Sequence, residues 1–468
     1  MGKQKIRGKD LKKIGYLSDK SKSIAISIMS KHFKFCKKEE KLNLLIEVKE
    51  NPNKFIGHES LNALAEEFLE VVEKENYKAY KIQGSPKPYR VFGKQFISQN
   101  TINQMDLAMQ IPVAEVGALM PDAHVGYGLP IGGVLATKNE VIPYAVGLDI
   151  GCRMSITIFE SPYSFFENNS SKFKQHLKNE THFGVVKKRE SIVEHEILDS
   201  ADFNETKLLR GLKNKAAYQI GTSGSGNHFV EFGEVTLGSN NALGLPTGNY
   251  IGLVSHSGSR GLGATIANYY TKIAMDVCRL PNQVKHLAWL DLNKEEGMEY
   301  WLSMNLAGEY AKACHDVIHQ KLSDALGLKP IINIENHHNF AWQESQINGD
   351  DLIVHRKGST PAGFGEFGFI PGSMTAPGFI VKGKGNSDSL NSASHGAGRK
   401  MSRSKAKNSY TKSALKQELK KEKVTLIGGG VDEAPIAYKD IEKVMGNQKE
   451  LVEVVGKFQP KLVRMSKD

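Results

Sequence analysis

YAVGLDIGCRMSITIFE, residues 144–160, joins a glycine-containing turn to a run of apolar and β-branched residues that is typical of a buried strand. Asp149 and Cys152 stand three residues apart in the turn. Three later stretches repeat this design: GTSGSGNHFVEFG (221–233), YIGLVSHSGSRGLG (250–263) and IINIENHHNFAW (331–342). In each stretch we expect an apolar strand to run into a short turn that holds a metal-capable side chain. Because functional groups gather at strand ends in α/β structures, the four turns are expected to meet.

Helical patterns lie between these strands. Residues 261–278 and 301–326 have apolar side chains every three to four positions, which indicates amphipathic helices. Cys314 lies on the apolar stripe of the second helix and is expected in the core, whereas His315 and His319 are expected on its solvated face. The alternation of such helices with short apolar runs and glycine-rich turns predicts an α/β (α+β) fold with a central mixed β-sheet flanked by helices.

The first 88 residues have a different texture. SKSIAISIMSKHF and ESLNALAEEFLEVVEK carry apolar residues at helical spacing and are separated by lysine-rich turns. We therefore expect a helical N-terminal extension over residues 1–88, followed by a catalytic domain over residues 89–468.

Composition sets limits on the class of protein. Hydrophobic residues make up 40% and charged residues 24% of the 468 positions, and no apolar run is long enough to suggest a membrane span. The basic N-terminus lacks the apolar segment of a secretory signal, and the four cysteines show no CxxC spacing. These features predict reduced thiols, a cytoplasmic location and no membrane partner. The formal net charge of +11 favours a polyanionic partner such as nucleic acid.

The four turns supply a mixed set of hard and soft metal ligands. Asp149 and Cys152 come from the first, His228 from the second, His256 from the third, and His337 and His338 from the fourth. A thiolate can bridge two divalent ions, and a pair of ions about 3.5–4 Å apart forms the clamp used for in-line phosphoryl displacement. The residue types predict a dinuclear site, and Zn, Mn, Fe and Co all remain open as its metal.

A candidate nucleophile stands in SASHGAGRK, residues 392–400, where small residues surround His395 and two cations follow it. The alternative is an ordinary glycine-rich surface turn. The chain lacks both a GxxxxGK[ST] loop and a lysine spaced as in nucleotidyl-lysine ligases, so covalent nucleotide activation would require another nucleophile. A neutral imidazole suits that role at pH 7.

Nine motifs together resemble the RtcB family of RNA ligases, in the order seen in that family and over roughly residues 90–468. They are PDAHVGYGLPIGG, GLDIGC, GSGNHFVE, HSGSRGLG, HHN, VHRKG, IPGSM, SHGAGRKMSR and EAPIAYKD. The resemblance implies an RtcB-like fold and a GTP- and Mn-dependent ligase that joins RNA 2′,3′-cyclic phosphate or 3′-phosphate ends to 5′-hydroxyl ends, in RNA splicing or repair, through a histidine-GMP intermediate.

The resemblance also implies roles for individual residues. His395 would carry GMP. Two Mn²⁺ ions would be held by Asp149, Cys152, His228, His256 and His338, with Cys152 bridging. GTP would be bound by Asn227, Phe229, Glu231, Ser373, Gly396, Ala397, Gly398, Tyr438 and Lys467. RNA or nucleotide phosphates would be bound by Arg260, Arg399 and Arg403.

Two departures from the family pattern and two other functions complete the expectations. Arg153 replaces a frequent glycine and is expected to add a cation beside the metals, and Thr375 is expected to narrow the nucleotide wall. The alternative enzyme is a dinuclear metal-dependent RNA 3′-end phosphodiesterase without ligation, and the other is a catalytically silent RNA-binding protein. We expect a monomer that acts on RNA, and the resemblance leaves open whether an archease-type activator is needed.

Overall fold

Both helices and strands are present in the computed structural model, which describes residues 5–73, 77–184, 193–239, 241–345, 349 and 351–466. The helices are α1 (Gly8–Lys13), α2 (Asp19–Lys31), α3 (Lys38–Glu50), α4 (Asn62–Glu73), α5 (Gln99–Ala108), α6 (Pro143–Val146), α7 (Tyr163–Asn168), α8 (Ser170–Glu180), α9 (Lys207–Gln219), α10 (Arg260–Val277), α11 (Glu295–Leu326), α12 (Arg403–Ser409), α13 (Lys412–Lys421) and α14 (Ile441–Gly446). Of the helices described, none is both long and apolar enough to cross a membrane.

The strands vary from 2 to 14 residues in length. They are β1 (Lys78–Ala79), β2 (Tyr89–Val91), β3 (Val116–His124), β4 (Ile131–Thr137), β5 (Glu140–Val141), β6 (Arg153–Pro162), β7 (Phe229–Leu237), β8 (Gly248–Ser257), β9 (Cys278–Arg279), β10 (Leu290–Asp291), β11 (Pro330–His337), β12 (Asn339–Ser345), β13 (Asp351–Lys357), β14 (Ser359–Pro361), β15 (Phe367–Ile370), β16 (Gly378–Gly383), β17 (Ser392–Ser394), β18 (Thr425–Ile427) and β19 (Val452–Met465).

The chain divides into two units, Met1–Lys78 and Ala79–Asp468. In the first unit, helices α1 to α4 enclose a small core of their own that includes Leu11, Tyr16 and Leu45. The buried hydroxyl of Tyr16 donates to the Leu45 carbonyl oxygen at 2.7 Å. This hydrogen bond offsets the desolvation penalty of burying the phenol group. The functional division into an extension over 1–88 and a catalytic domain over 89–468 stays a prediction.

The second unit is built around a large sheet. Among the described residues its strand order is β11-β6-β8-β7-β19-β16-β15, with β18 pairing alongside β19. The β18–β19 pair is parallel, whereas the other pairs of this sheet are antiparallel. A second sheet has the order β12-β13-β4-β3-β2. The expected α/β class with a mixed central sheet is confirmed.

The large sheet has two apolar faces, as alternation along its strands requires. One face buries Met154, Val254, Ile334 and Phe458 together with other residues from the strands of the same sheet. The sheet curls, so that the two ends of the strand order meet: the Asn336 amide on β11 accepts from the Phe369 backbone N–H at 2.7 Å and donates to the Phe369 carbonyl oxygen at 3.3 Å on β15. This one side chain therefore takes the place of a backbone ladder at the seam.

The opposite face packs against helices, chiefly α11. Cys314 is fully buried, as expected. The expectation that His315 and His319 lie on a solvated face is wrong, because both rings are buried between α11 and the sheet. The Ser255 hydroxyl lies 2.5 Å from His315 Nδ1 and 2.7 Å from His319 Nε2, so strand polar groups satisfy both rings. The apolar stripe of α11 did not predict that a second, polar side of the helix also contacts the sheet.

The turn before β6 depends on a glycine. Gly151 has a φ of +66°, and a Cβ placed there would lie 2.8 Å from the Gly308 Cα on α11. Left-handed backbone costs a non-glycine residue about 1–2 kcal/mol, and the close approach adds to it. Glycine therefore allows the turn that carries Asp149 and Cys152 to sit against the long helix.

We expect Gly151→Ala to lower the free energy of unfolding by about 2 kcal/mol or more, because both backbone strain and overlap oppose the methyl group. Urea denaturation followed by circular dichroism measures this change. Gly211→Ala is the matched control, because Gly211 lies inside α9 with open space around its Cα and should gain about 0.5–1 kcal/mol. Equal stability of the two variants would contradict the conclusion that the turn before β6 requires glycine at position 151.

Candidate active site

Four strand ends converge at one edge of the large sheet. Cys152 immediately precedes β6 and His228 immediately precedes β7, whereas His256 lies near the end of β8 and His338 immediately follows β11. Because β11, β6, β8 and β7 are neighbours and run antiparallel, the starts of two strands lie beside the ends of the other two. The expected arrangement, in which a strand runs into every turn, is wrong for Cys152 and His228, yet the four turns do meet.

The candidate metal ligands are brought together by this edge. Cys152 Sγ lies 3.4 Å from His228 Nε2 and 3.2 Å from His256 Nε2. His256 Nε2 lies 3.2 Å from His338 Nε2, and His228 Nε2 lies 2.9 Å from Asp149 Oδ2. Cys152, His228 and His256 form a buried group whose ligating atoms all lie within 4.8 Å of one another. His337, the other candidate in the fourth turn, instead packs its ring against Trp342.

The protonation of this cluster suits a divalent cation. Burial lowers the pKa of His256 to about 3 and holds the pKa of His338 well below its usual range, so both rings are neutral at pH 7. His256 Nδ1 donates to the Asn227 carbonyl oxygen at 3.2 Å, which leaves the lone pair of Nε2 facing the cluster. Burial, reinforced by Asp149, raises the pKa of the Cys152 thiol well above its usual value. A divalent cation would reverse that preference and stabilise the thiolate.

Asp149 supplies the negative charge of the cluster. Burial opposes ionisation of its carboxyl group, but the neighbouring His228 outweighs that effect and holds the pKa of Asp149 below its usual value. One carboxylate, one thiol and three imidazoles at this edge of the sheet form a donor set that fits Mn, Fe, Co or Zn. The residues present therefore fit the metal centre that the resemblance implies.

His395 lies next to this cluster. Its ring centroid is 4.9 Å from that of His338, and its Nδ1 donates to Asp122 Oδ2 at 2.7 Å. Asp122 is fully buried, which opposes its charge, but the hydrogen bond from His395 and the nearby Lys439 outweigh burial and lower the pKa of the carboxyl group. With Nδ1 occupied as a donor, Nε2 of His395 is the nitrogen that can act as a nucleophile.

The small residues after His395 include one that the backbone requires. Gly398 has a φ of +70°, and a Cβ there would overlap the Asp122 carbonyl oxygen. The glycine thus allows the His395 segment to approach the strand that carries Asp122. Asp122 was missed as a site residue, although it stands in the PDAHVGYGLPIGG motif and could have been noticed as a carboxylate within a family motif.

A pocket of about 300 Å³ adjoins His395 and His256. Most residues expected to bind nucleotide or RNA phosphate line it: Asn227, Phe229, Glu231, Ser373, Gly396, Ala397, Gly398, Tyr438, Arg399 and Arg403. Glu231 is buried in its wall, and burial raises the pKa of this carboxyl group well above its usual value. The structure therefore collects these residues from distant parts of the chain around one cavity, and their binding roles stay predictions.

Two arginines of the pocket are held by buried acidic residues that sequence reasoning missed. Arg399 pairs with Glu433 at 2.9 Å and lies over the Tyr438 ring. Arg403 pairs with Asp432 at 3.1 Å and also contacts Glu433. Both carboxyl groups are buried, so the guanidinium groups are fixed in position and their charges are already balanced. Glu433 begins the EAPIAYKD motif, which was the available signal.

The remaining predicted residues lie elsewhere. Arg260 does not line the pocket; its guanidinium donates to Thr222 Oγ1 at 3.1 Å and to the Gly184 carbonyl oxygen at 2.7 Å. Lys467 lies outside the described residues. The roles of Arg260 and Lys467 as ligand contacts both stay predictions.

Of the two departures, Arg153 has the expected effect in part and Thr375 does not have it. Arg153 is buried on the face of β6 opposite Met154, where it donates to the Gly308 carbonyl oxygen and pairs with Glu335 at 3.1 Å. Its charge is paired away from the pocket that Met154 lines, but the cation still acts to lower the pKa of the adjacent Cys152 thiol, against the larger effect of burial. Thr375 is buried but is not among the residues lining the pocket beside His395, so it does not narrow the wall of that pocket.

Comparison with known proteins covers most of this unit. A family model described as tRNA-splicing ligase RtcB matches residues 104–466. The chain is 32% identical over 373 residues to the RNA-splicing ligase RtcB of Escherichia coli K12, covering 72% of this chain and 87% of that protein. It is 30% identical over 432 residues to the tRNA-splicing ligase RtcB of Nanoarchaeum equitans, covering 77% and 90%. Over 450 residues it is 28% identical to the tRNA-splicing ligase RtcB of Thermococcus kodakarensis, covering 78% and 92%.

We expect the cluster to bind Co²⁺ and to show a thiolate-to-cobalt charge-transfer absorption band. The reason is that the ligating atoms of Cys152, His228 and His256 lie within 4.8 Å of one another, close enough to bind one ion. Titration of the purified chain with Co²⁺ in an absorption spectrometer measures this band. Cys152→Ser should abolish it, and Cys36→Ser, which alters an exposed cysteine, should preserve it. A band of equal intensity in Cys152→Ser would show that the thiolate ligand lies elsewhere.

Proposed function

The chain belongs to the RtcB family of RNA-splicing ligases, and from that premise we propose that it is a GTP- and Mn-dependent RNA ligase. It joins RNA 2′,3′-cyclic phosphate or 3′-phosphate ends to 5′-hydroxyl ends through a GMP group carried on His395. The observation that carries this proposal is the position of His395, whose Nδ1 is held by buried Asp122 while its ring lies beside the candidate metal ligand His338.

The proposed reaction has three transfers. His395 Nε2 attacks the α-phosphorus of GTP, so that an N–P bond forms, the bond to the β-phosphate oxygen breaks, and pyrophosphate leaves. An oxygen of the RNA 3′-phosphate then attacks the same phosphorus and frees the imidazole. Finally the 5′-hydroxyl oxygen attacks the 3′-phosphate phosphorus, and GMP leaves. A cyclic phosphate is first opened by water to the 3′-phosphate.

Asp122 would act through His395 in the first transfer. By accepting from Nδ1–H, the carboxylate keeps the lone pair on Nε2 and balances the positive charge that develops on the ring as the N–P bond forms. Because Asp122 is fully buried, water does not compete for this hydrogen bond.

The pocket wall would select guanine and hold its phosphates. Glu231 lies buried in the wall, where its carboxyl group can accept hydrogen bonds from the N1 and N2 groups that guanine offers and adenine lacks. Asn227, Phe229, Ser373 and Tyr438 line the same cavity. The backbone of Gly396, Ala397 and Gly398 lies beside His395, where small side chains leave room for a bonded GMP.

Two Mn²⁺ ions would be held by Asp149, Cys152, His228, His256 and His338. When bound, such ions offset phosphate charge and favour in-line displacement. The neutral rings of His256 and His338 are ready for ligation without loss of a proton.

Arg399 and Arg403 would donate hydrogen bonds to the phosphates from fixed positions. Their pairing with Glu433 and Asp432 restrains the guanidinium groups before a ligand arrives, which lowers the entropy lost on binding. RNA with the ends named above is the proposed partner. A monomeric state, a cytoplasmic location and an archease-type activator remain predictions from the resemblance.

We expect incubation with α-³²P-labelled GTP and Mn²⁺ to label the protein, and His395→Ala to remove the label because the nucleophilic nitrogen is lost. Gel electrophoresis after denaturation measures the covalent label, and His58→Ala, which alters an exposed histidine of the first unit, should keep it. Turnover of RNA cyclic phosphate without GTP, with no labelled protein and no joined product, would favour the phosphodiesterase alternative.

We expect Asp122→Asn to slow covalent labelling by a factor on the order of 10²–10⁴, because an amide can donate to Nδ1 and so place the proton on Nε2. Rapid-quench measurement of label incorporation gives this rate. Asp388→Asn, at an exposed position, should label at the rate of the unchanged protein. A rate for Asp122→Asn within about threefold of that control would remove Asp122 from the mechanism.

A further inference from the structure

The loop between β3 and β4 exposes two large apolar side chains close to the candidate active site. Tyr127 is 73% and Val125 is 54% exposed. Their loop follows His124, which lines the nucleotide pocket, so Tyr127 lies at most about 11 Å along an extended chain from a pocket residue. Single exposed apolar residues are common on protein surfaces, and the location alone decides nothing.

The backbone of this loop is held rigidly by side chains from other parts of the chain. The Gln104 amide group donates to the carbonyl oxygens of Gly126 and Gly128, both at 2.8 Å, and accepts from the Gly126 N–H at 3.1 Å. The Lys357 ammonium group donates to the Tyr127 carbonyl oxygen at 2.5 Å. Three consecutive residues are therefore fixed by their backbone while the Tyr127 ring faces solvent.

Lys357 also connects the loop to the catalytic histidines. Its ammonium group donates to the Tyr144 carbonyl oxygen at 3.0 Å, in the segment that leads to Asp149. The next residue, Gly358, donates its N–H to the His338 carbonyl oxygen at 2.7 Å. The loop that carries Tyr127 and the turn that carries Asp149 are thus joined to one another and to the His395 side of the site.

An exposed aromatic ring on a fixed backbone is a surface on which an unpaired nucleic-acid base can stack. Stacking on an aromatic ring tolerates any base, and it costs less entropy when the backbone that carries the ring is already held. A second exposed apolar side chain, Leu148 at 42%, precedes Asp149 in the joined turn. The net charge of +11 agrees with a nucleic-acid ligand better than with an apolar protein partner.

We propose that Tyr127 is a stacking platform for an unpaired base of the RNA next to the ends being joined, with Val125 on the same loop. The inference rests on the proposed ligase function. It adds a contact with an RNA base to the phosphate contacts proposed above. It gives the enzyme a grip on single-stranded RNA ends that does not depend on sequence.

The test compares ligation kinetics of Tyr127→Ala, Tyr127→Phe and the unchanged protein on RNA with a 3′-phosphate and a 5′-hydroxyl. Tyr127→Ala should raise the KM for RNA about tenfold or more, and Tyr127→Phe should stay within about twofold, because the ring is retained. Phe364→Ala, which removes a 90% exposed aromatic side chain outside the pocket, is the matched control and should leave the KM unchanged.

A series of RNAs with one abasic nucleotide at successive positions on either side of the junction locates the stacked base. At that position the abasic RNA should raise the KM of the unchanged protein, yet add nothing to the loss already caused by Tyr127→Ala. Fully additive losses at every position, or an unchanged KM in Tyr127→Ala, would overturn the proposal. The position that responds also identifies which of the two RNA strands is stacked.

Covalent labelling by GTP, measured on the same samples without RNA, separates this proposal from the proposed function. Labelling by all four proteins at equal rates, combined with the KM changes above, supports both. An unchanged protein that labels and ligates, with Tyr127→Ala matching it in every readout, overturns only the stacking platform. Absence of both labelling and ligation in the unchanged protein overturns the function and the platform together.

Discussion

The pairing of β8 with β6 on one side and β7 on the other is the constraint on which the site depends. The register sets His256 opposite Met154 and Phe229, at the edge where both partner strands begin. Side chains alternate between faces, so a slip of one residue along β8 would exchange His256 for Ser255. The imidazole would then face α11, where Ser255 now bonds two buried histidines, and the metal cluster would lose its central member.

Charge is balanced around most of this pocket and left open at one place. The arginines meet buried carboxylates, and His395 meets Asp122. In the cluster, by contrast, the sulfur of Cys152 and the Nε2 atoms of two neutral rings face one another. Lone pairs gathered in this way repel each other unless a cation or protons lie between them. The convergence of these donor atoms is therefore a stronger argument for a metal ion than the identity of any single side chain.

Sequence reasoning found what local patterns encode. Each of the four ligand-bearing turns is recognisable from polar residues beside an apolar run. Their convergence was expected because functional groups gather at strand ends in α/β structures. Strand direction was not encoded locally, so the order of turn and strand was wrong for Cys152 and His228. Asp122 stands 273 residues from His395, and no short pattern predicts such a pair. The partners of Arg153 were not predictable in the same way, because Cys152 ends a turn while Arg153 begins a strand and its side chain faces the other side, where it pairs with Glu335.

The seam between β11 and β15 gives the sheet an uneven strength. Elsewhere neighbouring strands are held by successive backbone hydrogen bonds, but here two bonds from the Asn336 amide do that work. Each is worth about 1 kcal/mol, so hydrogen bonding contributes less at the seam than along a full ladder, and the packing of Ile334 and Phe369 in one apolar core adds to it. His338 lies two residues beyond Asn336, at the end of the same strand. His338 nevertheless stays with the other ligands, because its N–H donates to the Cys152 carbonyl oxygen at 2.9 Å and β11 is paired with β6. Opening of the seam would therefore separate β15 from β11 and leave the four ligand-bearing turns together.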